Sequence, residues 1–319
     1  MISNFVLLLV GLLFLIIGGE FLVKSAVSFA RKLKVSPFLI GITVVSFGTS
    51  APELMVSIQA ALEKASGIAI GNVVGSNIAN IGLVLGLTVL IKPINLENKK
   101  YVFSWWTMFF SSLLLTILLF IDHNISFLDG IIFTVCLLAF IIFSIVYLKN
   151  EDADEEIEKE KPLPITFFYF LIGCLGLYFG SEFFVNNAVV IAKYLGVSEF
   201  IIGITIIAFG TSLPELVTCI VAAVRNQNSI SIGNLIGSNI FNILAVLGIT
   251  ALIEPLHLLK GSFWSITSLF VMLIFAVSMG IFLTGKKMSR LKGFILLTCY
   301  TLYILFSLFI WLQLTLQFE

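Results

Sequence analysis

Gly41–Leu54 reads GITVVSFGTSAPEL and Gly203–Leu216 reads GITIIAFGTSLPEL, 162 residues later. The correspondence spreads outward from these stretches without a gap. Glu20–Pro93 falls on Glu182–Pro255 with 41 identities over 74 positions. Within it, Ile70–Ile81 (IGNVVGSNIANI) meets Ile232–Ile243 (IGNLIGSNIFNI). The chain therefore holds two copies of one unit.

The medium for that unit follows from composition. Of 319 residues, 59% are hydrophobic and 11% charged, with a mean hydropathy of +1.13. Ordinary soluble domains run near about 45–50% apolar and about 25% charged. A bilayer core asks for about 20 apolar residues per helix. Ten such segments follow one another, at roughly 3–23, 37–62, 68–91, 103–121, 126–148, 164–188, 199–224, 230–253, 262–284 and 291–314. Lipid offers the backbone no hydrogen-bond partner, so these segments are expected as helices. The first run, Phe5–Gly19, has no basic residue before it and no cleavage site after it, as for a retained helix rather than a signal peptide.

Lys149–Lys161 (KNEDADEEIEKEK) breaks the series as a solvated linker. The expected fold is all-α and polytopic: a first five-helix repeat at 1–148, an acidic linker at 149–163, and a second repeat at 164–319. Five helices separate equivalent positions, and five is odd, so the copies enter the membrane from opposite sides. With both termini outside, 15 of the 18 Lys and Arg residues fall in cytoplasmic segments, leaving Lys64, Lys193 and Lys260 outward. The positive-inside rule favours that orientation in a cell membrane, with the linker cytoplasmic.

Several function classes drop out. Zero net charge gives no footprint for nucleic acid. Cys136, Cys174, Cys219 and Cys299 sit in apolar runs without metal-type spacing. No histidine lies at membrane depth and no HExxH occurs, so neither an enzyme nor a cofactor is expected.

Two acids stand near mid-helix, Glu53 and Glu215, each closing the repeated motif. A charge at the bilayer centre costs about 2.5–3.5 kcal/mol and marks ion pathways. No Lys or Arg lies at comparable depth, so the partner is a proton or a cation; a structural carboxylic acid is the alternative. Ser46, Thr49, Ser50 and Glu53 share one helix face, as do Ala208, Thr211, Ser212 and Glu215. Pro52 and Pro214 lack an N–H and free the carbonyls of Gly48 and Gly210, which predicts a break or kink in each helix. Hydroxyls, carbonyls and carboxylates are hard donors, and Ca2+ takes 6–8 oxygens at about 2.3–2.6 Å. His123 and His257 lie in loops, away from a soft-metal arrangement.

A second polar stripe runs through Asn72, Ser76 and Asn80, and again through Asn234, Ser238 and Asn242. Ion contact is the preferred reading of its Ser and Asn side chains, over interhelical hydrogen bonding. The interleaved Gly71-x-x-x-Gly75 and Gly233-x-x-x-Gly237 are read as packing positions. Glu20 and Glu182, toward helix ends, are read as interfacial anchors, and Trp105–Trp106 as part of a membrane-interface belt.

The paired GTSxPE and GNxxGSNxxN motifs resemble the two α-repeats of the sodium/calcium exchanger family, within the calcium/cation antiporters. The short linker resembles the prokaryotic type. The resemblance implies that Glu53 and Glu215 are shared Ca2+ ligands. It further implies Na+ sites from Thr49, Ser50, Thr211, Ser212, Ser76, Ser238 and backbone oxygens at Ser46 and Ala208. Transport by alternating access is implied too, with the first and sixth helices sliding over the other eight. Cation/proton members carry an acid within the second motif, where this chain has VVGSN and LIGSN. Some members carry an acid where Asn242 stands, and here Asn80 and Asn242 offer amide oxygens in both repeats. The expected activity is electrogenic, K+-independent Na+/Ca2+ antiport by a monomer in the bilayer. The transported ions are its partners, with no cofactor and no nucleic acid. A Ca2+/H+ exchanger, a K+-dependent exchanger and a passive cation channel are the alternatives.

Overall fold

The computed structural model describes residues 2–96, 101–148, 162–196, 208–258 and 263–316. Among these, nine helices are long and apolar enough to cross a membrane. They are α1 (Ile2–Leu33), α2 (Pro37–Leu62), α3 (Ser66–Ile91), α4 (Tyr101–Ile121), α5 (Phe127–Leu148), α6 (Leu163–Tyr194), α8 (Asn228–Ile253), α9 (Phe263–Leu283) and α10 (Arg290–Leu316). The seventh predicted segment, 199–224, lies partly outside the described residues, as does most of the linker. Its described part is a turn of helix, Ala208–Thr211, followed by α7 (Leu213–Val224).

Two short ribbons show how the halves are related. β1 (Ile94–Asn95) pairs antiparallel with β4 (Lys287–Met288), and β2 (Asn124–Ile125) pairs with β3 (Leu256–His257). The 162-residue shift carries β1 onto β3, so the repeat exchanges one ribbon for the other. With successive helices alternating in direction, the α3–α4 and α9–α10 connections share one face, and the α4–α5 and α8–α9 connections share the other. The ribbons thus tie the helices together on opposite faces, as inversion requires. The chain is an all-α polytopic membrane protein of ten helices in two inverted five-helix repeats.

Most of α3 and α8 is buried, whereas α6 and α10 are largely exposed. The outer surface is apolar, as lipid demands: on α5, Ile131, Val135, Leu138 and Ile142 all face outward. The 32-residue helices α1 and α6 are longer than the predicted segments and pack against each other. Their backbones approach so closely that a Cβ on Gly18 would lie 2.7 Å from Leu177 N, and one on Gly173 2.7 Å from Leu22 N. In lipid such close approach of small residues is what joins helices.

Two expectations change. Helix α2 runs unbroken through Pro52, and its irregularity lies upstream in a π-helical stretch, Gly41–Val45. In the second repeat a break does occur, at Ser212 (φ −90°, ψ 5°), which places Pro214 in the first turn of α7. There a missing N–H removes no helical bond. Trp105 is the other case. Its indole Nε1 donates to Ala276 O at 2.8 Å, and its ring covers Gly280, so it packs α4 onto α9. Trp106 is the exposed member of the pair.

Candidate ion-binding site

Helices α2, α3, α7 and α8 surround the two glutamates, whose side chains are wholly buried (0% exposed). Glycine sets the spacing of α2 and α8. A Cβ on Gly237 would lie 2.0 Å from Ser46 Oγ, and one on Gly233 would lie 2.8 Å from Phe38 O. The packing role expected of Gly233 and Gly237 is therefore observed. With α8 seated this closely, Ser238 Oγ comes within 3.3 Å of Thr49 Oγ1. Thr49 Oγ1 is also 3.2 Å from Asn234 Oδ1 and 3.3 Å from Ser46 O. Ser46 Oγ donates to Gly41 O at 2.7 Å, bracing the π-helical stretch, and lies 3.3 Å from Asn234 O.

The glutamates sit in unequal surroundings. Ser50 of the first repeat and Ser238 of the second both donate to Glu215 Oε1, at 3.2 and 3.4 Å. Neither oxygen of Glu53 has a hydrogen-bond partner among the described residues. The same holds for Glu215 Oε2, Ser76 Oγ, Ser212 Oγ, Asn242 Oδ1 and both amide atoms of Asn80. Leaving a buried polar group unpaired costs about 1–3 kcal/mol, and more if it is charged. Orphaned acceptors on the motif faces of both repeats form a set that a desolvated cation satisfies. Among the described residues, no group of three or more His, Cys, Asp or Glu could hold a metal. What these helices offer is two carboxylates and neutral oxygens, a hard donor set.

The remaining predicted positions divide. Thr211 is half-buried, and Ala208 opens the same helical turn. The Gly210 carbonyl, released by the helix break at Ser212, accepts a hydrogen bond from Ser181 Oγ of α6 at 2.7 Å. It is thus capped rather than left for an ion. The repeat equivalent of Ser181 is Gly19, which has no side chain to donate. Asn72 is a correction to the ion-contact reading. Its amide donates to Glu53 O (3.2 Å) and Ser57 Oγ (3.0 Å), fastening α3 to α2. Asn234 does the equivalent through Cys219 Sγ at 3.4 Å. Glu20 is more than an interfacial anchor. Its carboxylate binds Arg225 through both Nε (3.2 Å) and Nη2, and Lys24 Nζ at 3.1 Å, linking α1 to the end of α7.

Sequence reasoning passed over Asn77 and Asn239, the asparagines of the two GSN triplets. Asn77 Nδ2 donates to Asn239 O at 3.2 Å, and Asn77 Oδ1 accepts from Asn242 Nδ2 at 3.1 Å. Their presence in both copies was the available signal, but they stand off the i, i+4 stripe.

The sodium/calcium exchanger protein family model matches residues 3–146 and 165–309. The sodium/calcium exchanger MaX1 of Methanosarcina acetivorans is 34% identical, covering 96% of this chain and 99% of its own length. The putative antiporter CaxA of Alkalimonas amylolytica is 35% identical over 95% of this chain and 98% of its own. A solved structure of the sodium-calcium exchanger NCX_Mj, soaked with Na+ and Ca2+, superposes with a TM-score of 0.82 at 32% identity, covering 95% of this chain and 98% of that one.

Proposed function

Because this chain belongs to the sodium/calcium exchanger family, we propose that it exchanges Na+ for Ca2+ across the membrane, with both ions passing through one site between Glu53 and Glu215. One observation carries the reading. Two wholly buried carboxylates, one from each inverted repeat, lie among hydroxyl and amide oxygens, with no basic side chain among the partners described for them. Glu53 and Glu215 supply the charge. Thr49, Ser50, Ser76, Thr211, Ser212 and Ser238 supply hydroxyls, Ser46 and Ala208 supply carbonyls, and Asn80 and Asn242 supply amide oxygens. Na+ and Ca2+ are cargo, and the cycle uses no cofactor.

A buried carboxylate pair is costly when empty of cations and is neutralised by one Ca2+ or two Na+. Crossing the membrane is therefore favoured only when loaded, which is the condition for exchange rather than leak. A passive channel would present its lining to both sides at once. Inverted repeats around one site suit alternating access instead. The α1–α6 pair is the proposed moving part: it packs closely on itself and is otherwise largely exposed, while the ribbons tie other helices at both faces. We assign the repeats to 1–148 and 164–319, the cytoplasmic linker to 149–163, both termini to the outside, and the working unit to a monomer.

The test is 45Ca2+ uptake into Na+-loaded vesicles diluted into Na+-free buffer. Uptake that collapses when the Na+ gradient is dissipated, and that is lost in Glu53→Gln and Glu215→Gln, is the expected result. Ca2+ entry indifferent to internal Na+ would refute exchange.

A further inference from the structure

An asparagine in a cation site has a wrong end. Its Oδ1 coordinates a cation, whereas its Nδ2 carries two protons and repels one. Asn242 occupies such a position. It lies one helical turn beyond Ser238, which bonds Glu215, and it opens a π-helical stretch, Asn242–Leu247. Its side chain is wholly buried.

Neighbouring groups decide which end of Asn242 faces the site. The sequence of bonds starts at Asn239 O, a backbone carbonyl that can only accept. Asn77 donates Nδ2 to it at 3.2 Å. That turns Asn77 Oδ1 the other way, where it accepts from Asn242 Nδ2 at 3.1 Å. The last member, Asn242 Oδ1, is left buried with no partner among the described residues. A fixed acceptor at one end therefore sets both amide orientations in turn. We propose that Asn77 is a positioning residue that holds Asn242 with its oxygen presented to the transported ion.

The other repeat lacks the device. Asn239, the equivalent of Asn77, donates Nδ2 to Leu235 O of its own helix at 2.7 Å. Asn80, the equivalent of Asn242, has neither amide atom bonded among the described residues. The bonds that fix the amide orientation in one half of the site thus have no counterpart among the described residues of the other. This inference rests on the exchange site proposed above.

The experiment measures Ca2+ binding, and its displacement by Na+, on purified protein, with Asn77→Leu and Asn77→Asp made in the native and Asn242→Asp backgrounds. Asn77→Leu is expected to weaken Ca2+ binding by about tenfold, in the usual range for coupled neighbours. Asn77→Asp keeps an oxygen to accept from Asn242 Nδ2, and should bind within about threefold of native or more tightly. In the Asn242→Asp background the acidic group has no amide end to misplace, so the penalty of Asn77→Leu should vanish or reverse. Melting temperatures identify misfolded variants, and Asn77→Ala carries the same prediction as Leu if Leu is not accommodated. Equal weakening by Leu and Asp would assign Asn77 to helix packing through Asn239 O and overturn the proposal. An Asn77→Leu penalty of the same size in both backgrounds would also overturn it. Glu53→Gln and Glu215→Gln are the controls. If they lose Ca2+ binding while Asn77→Leu keeps it, the positioning role alone fails. If they keep it, the shared site fails and this role with it.

Discussion

Ser50 of the first repeat donates to Glu215 Oε1 of the second at 3.2 Å, while Glu53, one turn beyond Ser50 on the same helix, has no partner for either carboxylate oxygen among the described residues. Motifs that match nearly residue for residue in sequence are thus unequal in bonding. Glu215 accepts from two hydroxyls, and Glu53 from no group among the described residues.

Different losses follow for the two positions. Glu53→Gln and Glu215→Gln should each abolish Na+-driven 45Ca2+ uptake while the protein still reaches the membrane and runs as one species in detergent. Ser50→Ala removes one bond to a charged acceptor, worth about 1.5–3 kcal/mol. It should weaken apparent Ca2+ affinity by about 10- to 100-fold without abolishing transport. A Glu53→Gln protein transporting at the native rate would be incompatible with a shared site.

Close packing of α8 on α2 gives a second expectation. A Cβ on Gly237 would meet Ser46 Oγ at 2.0 Å and Ile42 O at 2.6 Å, and the second of these is backbone and cannot turn aside. Gly237→Ala should therefore cost about 1–3 kcal/mol, as overpacking does, and lower the melting temperature in detergent. Ser46→Gly should not restore it, because the Ile42 carbonyl remains.

Much of this was legible in the sequence. The 162-residue repeat and the odd helix count gave inversion, and both glutamates stood out as charges in apolar runs. Three things were hidden. The π-helical stretches at Gly41–Val45, Asn80–Leu85 and Asn242–Leu247 have no local composition signature. The unbroken course of α2 past Pro52 runs against the local preference of proline. The roles of Asn72 and Asn77 depend on which helix lies opposite, and spacing along one helix cannot supply that. Ser57 opposite Asn72, and Cys219 opposite Asn234, are partners that only the fold selects.

The Glu20–Arg225 pair makes a prediction about rate rather than stability. Its side chains are partly exposed, so it adds about 0–1 kcal/mol to stability at most. It nevertheless joins α1 to α7 at one face, and the repeat-equivalent positions, Glu182 and Glu63, are both acidic and cannot form the same bridge. Arg225→Ala should leave the melting temperature within a few degrees of native yet change the exchange rate several-fold. The charge swap of Glu20→Arg with Arg225→Glu should restore it. If rates in Arg225→Ala match the native protein under saturating Na+ and Ca2+, the pair has no part in the cycle.

Orientation is open to chemical labelling. A single cysteine at Asp154, in a protein whose four native cysteines are replaced, should resist a membrane-impermeant thiol reagent in intact cells and react after lysis. Labelling of intact cells would place the linker outside and reverse the assigned topology.

Charge counting at the site predicts what drives the cycle. Two ionised glutamates bring two negative charges, which one Ca2+ cancels as two Na+ do. Any further Na+ must rest on neutral oxygens, and the motif faces supply them in Thr49, Ser50, Ser76, Thr211, Ser212 and Ser238. Such an ion crosses uncompensated, so exchange should move net charge. A co-transported K+ would call for another carboxylate, yet Asn80 and Asn242 occupy the matching positions in both repeats. Their amides lend an oxygen but no charge. Uptake of 45Ca2+ should therefore persist with K+ wholly replaced by choline, and its rate should shift with a membrane potential set by a permeant-anion gradient. Converting Asn242 to Asp adds the missing acid and should disturb Na+ binding and make the rate more sensitive to pH. A strict K+ requirement in the native protein, or uptake blind to membrane potential, would show that the amides and hydroxyls do not divide the charge in this way.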